Sequence, residues 1–270
     1  MQSLSTKPFL RWAGSKRKLL PKLIPYWRSD HKRYVEPFMG SASLFFSICP
    51  RRALLSDLNA ELVEAYLSVR DNPRAVHQSL GEIPRGKASY YKLRSAGTIG
   101  TSAIERAARF IFLNRFCFNG LYRTNTAGVF NVPYSASKTG GLPSLSELRA
   151  VSQSLKQARI QCCDFATILN QVRTGDFVYL DPPFAVANRR IFRQYGPSTF
   201  GVDDLNRLAK LLDTIDSKGA TFVVSYALSA ESLRVFSNWH LRRVRIQRNI
   251  SGFAKHRRRA IEIIVSNVAD

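Results

Sequence analysis

The feature that most constrains this 270-residue chain is a repeating rhythm: a short apolar run, a polar or acidic residue, then a helical pattern. Seven runs have the length and composition of strands. They are Arg33–Glu36, Ala53–Asp57, Arg159–Cys163, Phe177–Asp181, Thr221–Tyr226, Leu241–Gln247 and Ala260–Ser266. Amphipathic stretches such as Ala60–Val69 and Asp204–Ile215 lie between them. In the second, Leu205, Leu208, Leu212 and Ile215 share one helical face, and Asp203 is placed to cap it. Strands that alternate with helices predict an α/β fold, a mostly parallel Rossmann-like sheet with helices on both faces. Residues 58–147 break the rhythm. They are helical, loopy and basic, and close on Gly141-Leu142-Pro143-Ser144. They read as a smaller helical domain inserted into a discontinuous one formed by 1–57 and 148–270.

In open parallel sheets, ligands bind outside the carboxyl ends of the strands. Here those ends carry Glu36-Pro37-Phe38-Met39-Gly40, Asp57, Asp164-Phe165, Asp181-Pro182-Pro183-Phe184 and Ser225-Tyr226. A single acid after a strand is ordinarily a helix cap. Several on one rim outline a negatively lined pocket suited to a cationic ligand. The loop from Glu36 to Ser43 has one glycine, so it lacks the dinucleotide fingerprint and the phosphate-cradling Gly-Lys-Ser/Thr element. A nucleotide-like ligand without a phosphate chain fits better. Asp57 ends the second strand, where an acid grips ribose hydroxyls in such sheets.

Asp181-Pro182-Pro183-Phe184 is the sharpest local signal. The prolines hold the chain extended. The carboxylate and a neighbouring carbonyl can then accept both hydrogens of an exocyclic amine, while Phe184 offers a stacking face to a flipped base. The plainer reading of the same residues is a stiffened strand exit with an Asp cap.

Charge points to a polyanion. There are 41 Lys and Arg against 19 Asp and Glu, a formal net charge of +22. The excess clusters in residues 1–34, 85–123 and 242–259, as would suit a duplex lying across a concave face. A merely arginine-rich surface is the alternative. Cys49, Cys117, Cys162 and Cys163 form no CxxC pair, so no metal is expected. Adjacent Cys162 and Cys163 are expected as buried free thiols in a reducing compartment. With no apolar run of membrane-spanning length and no leader pattern, neither a membrane span nor secretion is expected.

Four blocks together resemble one family. They are Pro8-Phe9-Leu10-Arg11-Trp12-Ala13-Gly14-Ser15-Lys16, Tyr34-Val35-Glu36-Pro37-Phe38-Met39-Gly40-Ser41-Ala42-Ser43, Asn114-Arg115-Phe116-Cys117-Phe118-Asn119-Gly120-Leu121-Tyr122-Arg123 with the following Asn125, and Asp181 to Phe184. In this order they resemble the Dam-type, alpha-group adenine-N6-specific DNA methyltransferases across most of the chain. The resemblance implies methyl transfer from S-adenosyl-L-methionine to N6 of a flipped-out adenine in a specific duplex sequence. It implies that Trp12 and Lys16 contact the cofactor and that Glu36, Phe38 and Gly40 line its methionine half. Asp57 would hold its ribose, Asp164 and Phe165 its adenine, and Asp181 would stand between cofactor and target amine, with Pro182, Pro183 and Phe184 completing the catalytic set. On the DNA side, Arg11 and Arg123 would approach base edges. Phe118 would wedge into the stack, with Asn119, Leu121 and Asn125 beside it.

Arg248, Lys255 and Arg257, in a basic loop between the last two strands, are candidate phosphate contacts. The sequence departs from the family pattern at Phe184, where Tyr is commoner, at Ser15 and Ser41–Ser43, where glycines are usual, and at Tyr226. A cytosine-N4 methyltransferase, an RNA substrate or a catalytically inactive DNA-binding relative are the competing readings. The implied setting is cytoplasmic and nucleoid-associated. Monomer or homodimer, with or without a cognate restriction endonuclease, are compatible with the sequence.

Overall fold

The computed structural model describes residues 6–125, 127–135, 141–184, 200–247 and 259–269. Their strands are β1 (Arg33–Glu36), β2 (Ala53–Asp57), β3 (Ala158–Cys162), β4 (Asp176–Leu180), β5 (Thr221–Ala227), β6 (His240–Gln247) and β7 (Arg259–Ser266). Their helices are α1 (Leu20–Leu23), α2 (Ser43–Ile48), α3 (Ala60–Asp71), α4 (Pro73–Glu82), α5 (Lys87–Ser95), α6 (Ala103–Phe116), α7 (Leu145–Leu155), α8 (Phe165–Leu169), α9 (Val202–Ser217) and α10 (Ala230–Val235).

The strands form one mixed sheet in the order β3-β2-β1-β4-β5-β7-β6. The first five positions run parallel, while β7 pairs antiparallel with both β5 and β6. The expected α/β sheet and its terminal hairpin are both present. The order reverses at β1, from which the chain moves outward to β2 and β3 and later back to β4. That reversal opens a crevice at the carboxyl ends of β1 and β4.

Period-two burial explains the layering. Tyr34, Leu55, Phe177 and Tyr179 face one core with Phe45, Phe46, Leu62, Tyr66, Leu148 and Val151. Val35, Leu54, Val178 and Leu180 face the other with Ile168, Leu205, Leu208 and Leu212. Strands buried on both sides read as continuous apolar runs, which is why β1 and β2 were legible from sequence. Each fully buried side chain of this kind stabilises by about 1.5–3 kcal/mol.

Helices α3 and α7 contribute to the same core as β1 and β2, and residue 148 falls inside α7. Ser102 with Glu105 and Ser144 with Glu147 form reciprocal capping boxes that start α6 and α7.

Two local expectations are corrected. Asp203 does not cap α9. Gly201 is the N-cap, and the Asp204 carboxylate reaches back to accept the Gly201 N–H at 3.1 Å, so Asp203 lies inside the first turn. Cys162 and Cys163 are free but not buried. Cys162 is exposed and Cys163 half-buried, because β3 is an edge strand whose outer side is only partly covered. Among the described residues, no helix is long and apolar enough to cross a membrane.

Candidate active site

Parallel pairing brings the strand exits to one rim. Glu36 ends β1, Asp57 ends β2, Asp181 follows β4 and Ser225 lies near the end of β5. After β1 the backbone enters the left-handed region three times, at Phe38 (φ 62°), Gly40 (φ 45°) and Ala42 (φ 49°). Side chains from elsewhere hold this tight loop. Asp57 Oδ2 accepts the Gly40 N–H at 3.1 Å, and Tyr66 donates its hydroxyl to the Gly40 carbonyl at 3.0 Å. The Trp12 indole lies so close that a Cβ on Gly40 would stand 2.8 Å from it. Glycine is therefore required there by both φ and space. Asp57 Oδ1 also accepts from the Asn59 backbone at 3.0 Å, and Asn59 in turn caps α3.

The rim acids are electrostatically stressed. Burial pushes the Glu36 carboxyl well above the usual carboxylate range, although Tyr34 donates to it at 2.8 Å. The neighbouring Asp181 and Asp57 push it the same way. Burial also raises Asp57, against the pull of three backbone N–H groups. For Asp181, burial again outweighs the opposing attraction of Lys16. Asp181 and Asp57 thus stand near enough to Glu36 to act on it electrostatically, so the three acids form one cluster on the rim.

Beside these acids stands a cation, Lys16, which the family resemblance implies to be a cofactor contact. Lys16 is buried and donates from Nζ to Asp181 Oδ1 at 2.6 Å, with Glu262 Oε2 at 3.8 Å on its other side. Ser225 donates to the same Oδ1 at 3.1 Å and shares a 2.9 Å hydrogen bond with the Tyr179 hydroxyl. Both contacts converge on Oδ1, so Oδ2 keeps its acceptor capacity. Beyond Asp181, Pro182 is buried, Pro183 is half-buried, and Phe184 is 36% exposed. The Phe184 ring meets Lys16 Nζ at 5.5 Å on its face. It also stands edge-to-face with Tyr226 at 5.4 Å, and Tyr226 rests on Phe236. Tyr226 is thus a buried support for Phe184 rather than a rim aromatic.

On the other flank, Phe38 and Phe165 lie 5.2 Å apart at 32°, and Phe200 closes over both. Asp164 caps α8 through the Ala166 N–H at 2.9 Å, and its second oxygen meets Arg207 at 2.6 Å. The cap reading of this acid is realised, and it fixes the carboxylate at the edge of the aromatic layer.

A ribbon from Arg11 to Lys16 joins this pocket to a second cluster. The buried Asn114 side chain grips the Arg11 backbone in both directions, accepting its N–H at 2.8 Å and donating to its carbonyl at 2.5 Å. Gly120, φ 63°, has no room for a Cβ against Arg11, and the Ala13 N–H reaches the Gly120 carbonyl at 3.2 Å. The turn it belongs to presents Phe118, 39% exposed, and exposed Asn119 in a left-handed conformation (φ 55°). Leu121 packs on the core. Arg123 donates to Asn131 Oδ1 at 2.7 Å. Asn125 Oδ1 folds its own loop by accepting from Ala127 and Val129. Arg11 donates to the Arg115 carbonyl at 3.1 Å. Burial, then the Arg11 guanidinium, depress the pKa of Arg115, a sign of converging positive charge. Arg248, Lys255 and Arg257 lie outside the described residues.

Residues that sequence reasoning missed are Glu262, Tyr66 and Tyr179; Asn114, Tyr122 and Ser225 were noted without a role. Tyr122 stacks on Trp12 at 6.0 Å and donates to Glu61 at 2.7 Å. Glu262 had a usable signal, an acid inside the otherwise apolar run Ala260–Ser266. Among the described residues no cluster of His, Cys, Asp or Glu has the makings of a metal site.

The sheet with its switch point, the acidic rim and the Asp-Pro-Pro-Phe exit mark the carboxyl ends of β1 and β4 as the candidate ligand site of an α/β enzyme. Residues 12–250 match the model of the D12 class N6 adenine-specific DNA methyltransferases, and the chain belongs to that family. It is 32% identical over 273 residues to the type II methyltransferase M1.LlaDCHI of Lactococcus lactis subsp. cremoris, covering 98% of this chain and 96% of that protein. It is 30% identical to the type II methyltransferase M.MjaIII of Methanocaldococcus jannaschii, covering 98% and 100%. It is also 30% identical to a DNA adenine methylase of Haemophilus influenzae, covering 97% and 93%. The protein is an adenine-specific DNA methyltransferase; the readings with cytosine N4 or RNA as target give way to this one.

Proposed function

We propose that the rim binds S-adenosyl-L-methionine and that the enzyme transfers its methyl group directly to N6 of an adenine swung out of duplex DNA. The observation that carries this is Asp181, with Oδ1 occupied by Lys16 and Ser225 and Oδ2 left to accept, at the mouth of an extended Pro-Pro-Phe exit. The fit to a cationic donor rests on three carboxylates whose pKa values burial raises, because a positive ligand relieves the cost of ionising them. When bound, S-adenosyl-L-methionine supplies an electrophilic methyl group on a sulfonium leaving group.

Trp12, Glu36, Phe38 and Gly40 form the wall for the methionine half, and Asp57 the acceptor for ribose hydroxyls. Phe165 borders the cofactor's adenine ring, with Asp164 at its edge. Asp181 Oδ2 and the Pro182 carbonyl accept the two N6 hydrogens of the target base, which draws the nitrogen lone pair out of conjugation. Phe184, stiffened by Tyr226, stacks on the base and keeps the amine in line. Positioning of this kind supplies most of the rate.

Residues 58–147 form the recognition part, whose Arg123 reads base edges together with Arg11 of the N-terminal ribbon, and whose Phe118 wedges into the stack beside Asn119, Leu121 and Asn125. Arg248, Lys255 and Arg257 grip phosphates. The type II names of two relatives favour a cognate restriction endonuclease as companion.

Asp181→Ala is expected to abolish incorporation of labelled methyl groups into DNA while duplex binding in a gel-shift assay persists. Retained turnover would remove Asp181 from the mechanism.

A further inference from the structure

We propose that the sheet's amino-end edge carries a second nucleic-acid site, a recess for the phosphate backbone of a DNA segment other than the one being methylated. The recess, of about 340 Å³, is lined by Lys32, Arg33, Arg52, Arg173, Thr174 and Asp176. These residues stand at or just before the first residues of β1, β2 and β4, whose far ends carry Glu36, Asp57 and Asp181. Strands of this length, at about 3.3 Å per residue, separate the two ends by about 15 Å.

The basic stretch 1–34 therefore serves two faces, with Arg11 and Lys16 at the pocket end and Lys32 and Arg33 behind it.

The charge of the recess is not balanced from within. Its one acid, Asp176, is buried and engaged by the Arg33 guanidinium at 2.6 and 3.2 Å and by the Arg173 backbone at 2.9 Å. Exposed Lys32, Arg52 and Arg173 form no ion pair among the described residues. Gly175, in the left-handed region at φ 83°, lets the Lys32 stem lie across it. A Cβ there would stand 3.1 Å from Lys32 Cδ. Three cations held around one concavity repel each other and focus a positive field outward, a cost that an anion relieves.

The volume suits a run of phosphates, and the enzyme's own substrate supplies one. A short duplex engaged at the pocket would reach this opposite edge only by folding back on itself, a sharper turn than the bends proteins ordinarily impose. Bending 20–30 base pairs by 40–90° already costs on the order of 1–6 kcal/mol. The recess thus takes a second segment, and holding two segments lets the enzyme pass from one to the other without release.

The test holds the full-length enzyme on an immobilised DNA fragment that it methylates and adds a labelled second duplex. The wild-type enzyme is expected to retain the second duplex at low salt and lose it steeply as salt rises. The variant K32Q/R52Q/R173Q is expected to retain at least tenfold less, while methylating a short fragment at the wild-type rate and keeping the wild-type circular dichroism. A control, R74Q/R149Q/K210Q, lowers net charge equally at exposed positions on α4, α7 and α9 and is expected to retain the second duplex. Asp181→Ala is expected to retain it too, which separates this proposal from the catalytic assignment. No retention by the wild type overturns it, as does equal retention by K32Q/R52Q/R173Q, the result a bridging dimer would give. Equal loss in the control, the result a diffuse charge effect would give, also overturns it.

Discussion

Burial raises the pKa of Glu36, Asp57 and Asp181 together, which ties pocket chemistry to stability at the level of single side chains. An acid whose folded pKa exceeds its unfolded value gives up its proton first in the unfolded chain. Stability held at low pH is then lost as pH climbs from the unfolded carboxylate range, about 4, through the raised folded values. Ligand-free enzyme is expected to unfold at lower urea at pH 7.5 than at pH 5.5. Glu36→Gln should flatten that difference and weaken donor binding in calorimetry; an unchanged pH slope would clear Glu36 of this role. Ala42 is a second strained residue. At φ 49° a Cβ costs roughly 1 kcal/mol, so Ala42→Gly is expected to stabilise by a few tenths to about 1 kcal/mol in urea melts. At the DNA side, Arg123→Ala is expected to relax preference at one base position by about 1–3 kcal/mol when fragments of varied sequence compete. A uniform loss would make it a phosphate clamp.

At the level of elements, the ribbon from Arg11 to Lys16 matters most. It touches the exposed turn through Gly120, the loop after β1 through Trp12 against Gly40, and Asp181 through Lys16. Asn114 on α6 anchors its start. Asn114→Ala removes the partner of both backbone groups of half-buried Arg11, and is expected to cost about 1–3 kcal/mol. It should also blunt discrimination between cognate and mismatched DNA, read as the ratio of kcat/KM values. A change in stability alone would make Asn114 purely structural.

Elements differ in how far their sequence announces them. β1 and β2 match their expected limits because burial on both faces writes an unbroken apolar signal. The acids of the rim were legible because parallel topology sends every strand exit the same way. The Lys16–Asp181–Glu262 grouping was not. It needs β7 to run antiparallel beside β5, and no local pattern encodes which strand a strand will pair with. The Trp12–Tyr122 stack escaped because it joins two loops far apart in sequence, a contact that no local pattern encodes. Asp203 was misplaced as a cap because acids also favour the first turn, where Asp204 reaches back to the N-cap N–H, so an acid near a helix start does not mark the cap itself.

For the whole molecule, two cores on opposite faces of one sheet make the pocket a seam at which both meet. Leu208→Ala, on the face remote from α3, is expected to cost about 2–5 kcal/mol in global unfolding. Saturation with S-adenosyl-L-methionine at a hundred times its dissociation constant should restore about 2.7 kcal/mol by mass action. A melt that ignores the ligand would count against the proposed donor.

The position of β7 has a consequence in time. It is made after every other strand, yet it fills the gap between β5 and β6 and carries Glu262 to Lys16. Until Arg259–Ser266 has left the ribosome, β6 has no neighbour and the floor behind Asp181 is unfinished. A chain cut before Arg259 is therefore expected to lose the antiparallel edge of the sheet and the Glu262 contact to Lys16 together.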